Sequence, residues 1–122
     1  MNLKAERQQL ADIISGTYKV YAHIPERVSP PAIAISTGSP YVVPGTLYGD
    51  SVKVKWEATI LAGKATNEVS TDQLDNMIFD VVMNLMLNGY AFEVSEHKVY
   101  QSNNADYLAV DVGITKEIRL GE

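Results

Sequence analysis

The chain contains no cysteine. That removes disulfide scaffolds, thiolate nucleophiles, zinc ribbons and iron–sulfur clusters together. Histidine is scarce: His23 and His97 stand alone, without a second ligand at helix or strand spacing, whereas metal sites draw their ligands from clusters. The expectation is a protein with no metal and no cofactor. No apolar run approaches the roughly 20 residues that cross a bilayer. The amino terminus carries Lys4, Glu6 and Arg7, so it lacks the apolar core of a secretion signal. The sequence reads as a product of the cytosol without membrane contact. Phosphate-cradling and dinucleotide-binding glycine patterns are missing, and so is a nucleophile elbow around serine. Nothing nominates a catalytic set, and the protein is read as a non-enzyme.

Positive charge is also in short supply. Ten bases face 15 acids, for a net charge of -5, which argues against a general nucleic-acid binder because such proteins must neutralise phosphates. The imbalance is local. Residues 1–61 hold six bases and five acids, a net of +1, and residues 62–122 hold four bases and ten acids, a net of -6. The seven tyrosines have no basic groove beside them, so they suit strand packing and interface contacts better than base stacking.

What is present is enough for one core. A chain of 122 residues is one ordinary domain, 1–122, and its folding buries about two-thirds of the unfolded surface. Asn2 caps a first helix with Leu3, Leu10, Ile13 and Ile14 on one face, and Gly16 stops it. Thr17 to Ile24 alternates as a strand, with Tyr18, Val20 and Ala22 on its covered side. Ala32 to Ser36 is a short apolar strand behind two prolines, which suits a sheet edge. Segment 37–50 mixes Gly38, Pro40, Pro44, Gly45 and Gly49 with Tyr41, Val42, Val43, Leu47 and Tyr48, and reads as a hairpin or arm with exposed apolar tips. Those five apolar residues are the candidate interface.

Ser51 to Leu61 alternates without a break, placing Val54, Trp56 and Ala58 on one face. Ser70 and Gln73 have capping-box spacing ahead of a helix built on Leu74, Met77, Ile78, Val81, Val82 and Leu85. Phe79, Val82 and Met86 widen that stripe beyond what one sheet face needs, and Asn88-Gly89 ends it. Strands follow around 91–95, 98–101 and 107–114, with a turn at 103–106. The fold class is α+β, a mostly antiparallel sheet packed by two helices in a single domain. Asp72, Asp75 and Asp80 lie on the polar side of the second helix, where helix-dipole stabilisation accounts for the first two without catalysis.

Three stretches together carry a resemblance. They are Pro30-Pro31-Ala32-Ile33-Ala34, then Val54-Lys55-Trp56 running to Ile60-Leu61-Ala62-Gly63-Lys64-Ala65, then Gln73-Leu74-Asp75 opening a helix; Tyr107 to Val112 closes the chain as a strand. The succession resembles the tail terminator proteins of long-tailed bacteriophages, and the order of elements matches over nearly the whole chain. The resemblance implies a structural virion protein assembled in the host cytoplasm. Such a protein forms a ring, typically a hexamer, that caps the tail tube, stops its polymerisation and presents the surface joining tail to head. The implied partners are other copies of the chain, the tail-tube protein and the head–tail connector protein, with DNA passing through the lumen without specific binding. Glu68, Asp72 and Asp75 are candidates to face that lumen. A head–tail connector or joining protein of the neck is the close alternative. From a different class, a small cytosolic ligand-binding domain or enzyme stays open.

Overall fold

The computed structural model describes residues 2–16, 18–22, 30–46, 49–63, 67–102 and 105–119. Two helices lie against one face of a six-stranded sheet. Helix α1 runs Leu3–Ser15 and strand β1 Lys19–Tyr21. Strands β2, Ala32–Pro44, and β3, Ser51–Leu61, precede helix α2, Asn67–Leu87. Strands β4, Ala91–Val94, β5, Lys98–Ser102, and β6, Ala105–Arg119, complete the chain. Across the sheet the order is β1, β2, β3, β6, β4, with β5 also on β6. All pairings are antiparallel except β1 with β2, which is parallel.

The caps form as the residue chemistry requires. The Asn2 side chain accepts a hydrogen bond from the Ala5 backbone N–H at 3.1 Å, which satisfies one of the four donors a helix start leaves unpaired. At the end of α2, Tyr90 N–H donates to the Leu85 carbonyl and Gly89 N–H to that of Met86. This is the Schellman arrangement, and Gly89 adopts the φ of 77° it needs.

The core lies between the helices and the inner sheet face. Trp56, Ile114 and Phe92 form one cross-strand row, and Ile35, Ala58, Val112 and Val94 the next. Leu10 and Ile14 of α1 and Leu74, Met77, Val81 and Leu85 of α2 close over these rows. Trp56 is 1% exposed, with Val54 and Ala58 beside it on the same face. Among the described residues no helix lies on the opposite face. It carries a small second cluster of Ala32, Leu61 and Ala109, flanked by Tyr21, Tyr100 and Tyr107.

Five details differ from the sequence reading. Ala32 to Ser36, expected at a sheet edge, opens β2, which is flanked by β1 and β3. The second helix begins at Asn67, so Ser70 and Gln73 are not its cap. They clamp the chain leaving β3: Gly63 N–H donates to Gln73 Oε1 at 2.6 Å, and Ser70 Oγ donates to the Gly63 carbonyl at 3.3 Å. The strand expected over 17–24 is only three residues long and joins its neighbour in parallel, while His23 and Ile24 lie outside the described residues. Ala105 and Asp106 belong to β6, in which Ala105 pairs with Ser102, while Asn103 and Asn104 lie outside the described residues. Finally, β6 continues to Arg119, past the apolar stretch that marked it in the sequence, because β3 pairs with it all the way out to Ser51 opposite Arg119.

Candidate functional site

Residues 37–44 are not a free arm. Thr37 pairs with Trp56, and Val42, Val43 and Pro44 pair with Val54, Lys53 and Val52. The four residues between, Gly38 to Tyr41, face the single residue Lys55 as a wide bulge. A Cβ on Gly38 would lie 2.7 Å from Lys55 Cβ, so the bulge packs closely enough to require glycine there. Tyr41 is half-buried against the main core, Val43 is half-buried, and Val42 is 39% exposed. Leu47 and Tyr48 lie outside the described residues. A groove of about 420 Å³ opens beside the hairpin end, lined by Val42, Val43, Pro44, Gly45 and Val52. The turn end of the hairpin is held by Glu117, whose carboxylate accepts hydrogen bonds from Thr46 N–H, Thr46 Oγ1 at 2.8 Å and Ser51 Oγ at 2.7 Å.

The three acidic candidates sit on the outer surface of the first turns of α2. Glu68 and Asp72 are exposed. Asp75 lies 3.1 Å from His97 Nε2, which pins the start of α2 to the chain between β4 and β5. Further along α2, Tyr18 donates its hydroxyl hydrogen bond to Asp80 at 2.7 Å, tying the helix to the opposite, β1 side of the molecule.

A second apolar surface emerges from the fold. Helix α2 covers β3 and β6 and reaches β4, yet Phe92 and Val94, on the inner face of that edge strand, stay 37% and 36% exposed. On α2 itself Phe79, Met83, Met86 and Leu87 recur at spacings of four, three and one, a helical face, and are 65%, 40%, 60% and 76% exposed. The sequence reading singled out Phe79, Val82 and Met86 as surplus to the core, of which Val82 is half-buried. It passed over Phe92 and Val94, because an alternating strand looks the same whether or not a helix covers it. One further signal was legible: residues 67–97 contain six acids and neither lysine nor arginine.

On the open sheet face the polar groups satisfy one another. The Asp111 carboxylate accepts from Lys98 Nζ at 2.6 Å and from Thr59 Oγ1 at 2.8 Å. Ser95 Oγ donates to the Asp111 carbonyl and accepts from the Asp111 N–H, bridging the one-residue offset between the β4 and β5 registers. A groove of about 420 Å³ crosses this part of the sheet near Gly38, Lys55, Glu57, Glu93 and Gly113. Under the helices, Lys116 Nζ lies 3.2 Å from Glu6 Oε2 and 5.3 Å from the centre of the Tyr90 ring. Two tyrosines are shifted upward. Donation to Asp80 raises Tyr18, with burial adding to it, and burial raises Tyr90 against the opposing pull of Lys116. Among the described residues no three metal-ligating side chains come together, and no helix is long and apolar enough to cross a membrane. Compared with models of known protein families and with curated proteins, the chain matches none.

Proposed function

We propose that the chain is a structural protein of the bacteriophage tail that assembles as a ring on the end of the tail tube, stops tube polymerisation and offers the joining surface to the head. The observation that carries the reading is the apolar surface of α2 and β4, where Phe79, Met86 and Leu87 are all at least 60% exposed. Contiguous exposed apolar groups mark interaction surfaces, and an assembly protein needs such surfaces rather than a pocket. Further support comes from the resemblance in the sequence and from the order helix, strands, helix, strands. The same features suit a connector of the neck, whose partner is the head rather than the tube.

The test is polymerisation of the cognate tail-tube protein with and without this chain. A terminator arrests growth and gives short, capped tubes, whereas a connector leaves tube length unchanged. The reading from a different class, a small cytosolic ligand-binding domain or enzyme, has one observation in its favour: the groove across the open sheet face falls within the size range of ligand pockets. That reading requires a monomer with no effect on tubes.

A further inference from the structure

We propose that the edge of β4 and the neighbouring side of α2 form a slot for one further strand, filled by an extended segment of a partner protein in which apolar and basic side chains alternate. The proposal names the occupant of the surface that carries the assembly reading, and rests on that reading only for its being an interaction surface.

The backbone sets the occupant's conformation. Among the described residues β4 ends the sheet order, with β6 on its other side. Ser95 N–H donates to the Asp111 carbonyl, continuing the register that sets Val94 opposite Val112 and Glu93 opposite Gly113. Alternate residues of an antiparallel strand bond to a given neighbour. Glu93 and Ala91 therefore turn their N–H and C=O groups to β6, and Phe92 and Val94 turn theirs outward. An extended chain satisfies both outward residues at once, and addition of a strand to such an edge is a general recognition mode.

The helix sets the side chains of the occupant's inner face. Asp75, Phe79, Val82 and Met86 follow one another at spacings of four, three and four, which puts them on one side of α2. Asp75 meets His97, just beyond β4, at 3.1 Å, so this side is turned to the β4 edge. Asp80, one residue past Phe79 and rotated about 100° from it, bonds Tyr18 on the β1 side. Phe79 and Met86 are exposed, Val82 is half-buried, and Phe92 and Val94 present bare apolar side chains on the inner face of β4. A strand laid along β4 sends every second side chain into this apolar corner.

Charge sets the outer face. Glu93 lies on the open sheet face in one row with Gly113 and Glu57, and among the described residues neither glutamate is in an ion pair. A base on the added strand opposite Glu93 makes a cross-strand pair of opposite charge. A second copy pairing through its own β4 brings two Glu93 carboxylates to one short junction, which like charge disfavours. The occupant that fits is therefore a basic, alternating strand from a different protein.

The probe is a capped, fluorescently labelled peptide of alternating valine and lysine. Its controls are the same residues arranged in two blocks, and a peptide of alternating valine and glutamate. Anisotropy follows binding, and amide hydrogen exchange read by NMR locates it. The expected result is binding of the valine–lysine peptide in preference to both controls, with the Phe92 and Val94 amides protected. Val94→Pro removes an outward N–H and no bond to β6, and Met86→Asp puts a charge into the apolar stripe at an exposed position. Each weakens binding by about tenfold or more, with the melting temperature as the control for folding. Glu93→Lys turns the preference toward the valine–glutamate peptide. Equal binding of the alternating and block peptides, or no binding, overturns the slot. Protection of Phe92 and Val94 in the free protein that is lost on dilution assigns the edge to a second copy and overturns the occupant. Arrest of tube growth by a chain that binds none of the peptides removes the slot and leaves the terminator reading, whereas peptide binding with no effect on tubes does the reverse.

Discussion

Trp56 fills the centre of the inner sheet face at 1% exposure, and its indole N–H has no hydrogen-bond partner among the described residues. Its contribution is therefore packing, opposed by the cost of an unsatisfied donor. Trp56→Ala should cost about 3–5 kcal/mol and lower the melting temperature by about 10 °C or more. Trp56→Phe, which removes the orphan N–H along with some volume, should cost distinctly less; equal losses would show that the N–H is bonded after all. Asp111 gathers Lys98 and Thr59 on the solvent side. Since Lys98 is 42% exposed, solvent weakens that ion pair, and Asp111→Ala should cost about 1–2 kcal/mol in a denaturant titration. The raised tyrosines set an alkaline limit. A phenol whose folded pKa lies above its unfolded value of 10.0 contributes stability that is fully present below pH 10 and is lost as pH rises through the folded pKa. Tyr18→Phe and Tyr90→Phe should each flatten the fall in melting temperature above pH 10, and an unchanged slope in both would contradict the assignment.

At the scale of elements, the helices were largely legible and the long hairpin was not. Gly16 and Asn88-Gly89 mark their turns because few residues substitute for them at helix ends, and the rows of Trp56 and Ile114 follow from strict alternation. Ser70 and Gln73 misled for a physical reason: the residue types that cap a helix also satisfy any stray backbone group, and here the group was at Gly63. Segment 37–44 looked like an arm because its glycines and prolines break the alternation. In the fold those same breaks build the bulge at Gly38 to Tyr41, and the strand resumes beyond it. Of the candidate interface there, Val42 and Val43 border the adjoining groove, Tyr41 packs on the core, and Leu47 and Tyr48 lie outside the described residues. Val43→Asp/Leu47→Asp should keep the fold and block ring formation or tube capping, measured by light scattering and tube length; normal assembly would remove this end of the hairpin from the contact. The surface of α2 and β4 was half legible: the surplus apolar stripe shows in the helix, but the bare edge strand beside it depends on where the helix comes to rest.

For the whole molecule, the charge asymmetry visible along the sequence leaves Glu68, Asp72 and Glu96 exposed on the second half of the chain. A net charge of -5 also bears on the lumen of a ring, because tight phosphate contacts would hinder DNA passage and like charge prevents adhesion. The protein should show no measurable duplex DNA binding at physiological salt in a fluorescence-anisotropy titration, and sub-micromolar, salt-sensitive binding would contradict that. The central claim, that copies of this chain form a ring on the end of a tail tube, is tested most directly by electron microscopy of the protein mixed with preformed cognate tubes. The account predicts ring-shaped density capping one end of each tube and none along its length. Bare tube ends beside free protein would contradict it.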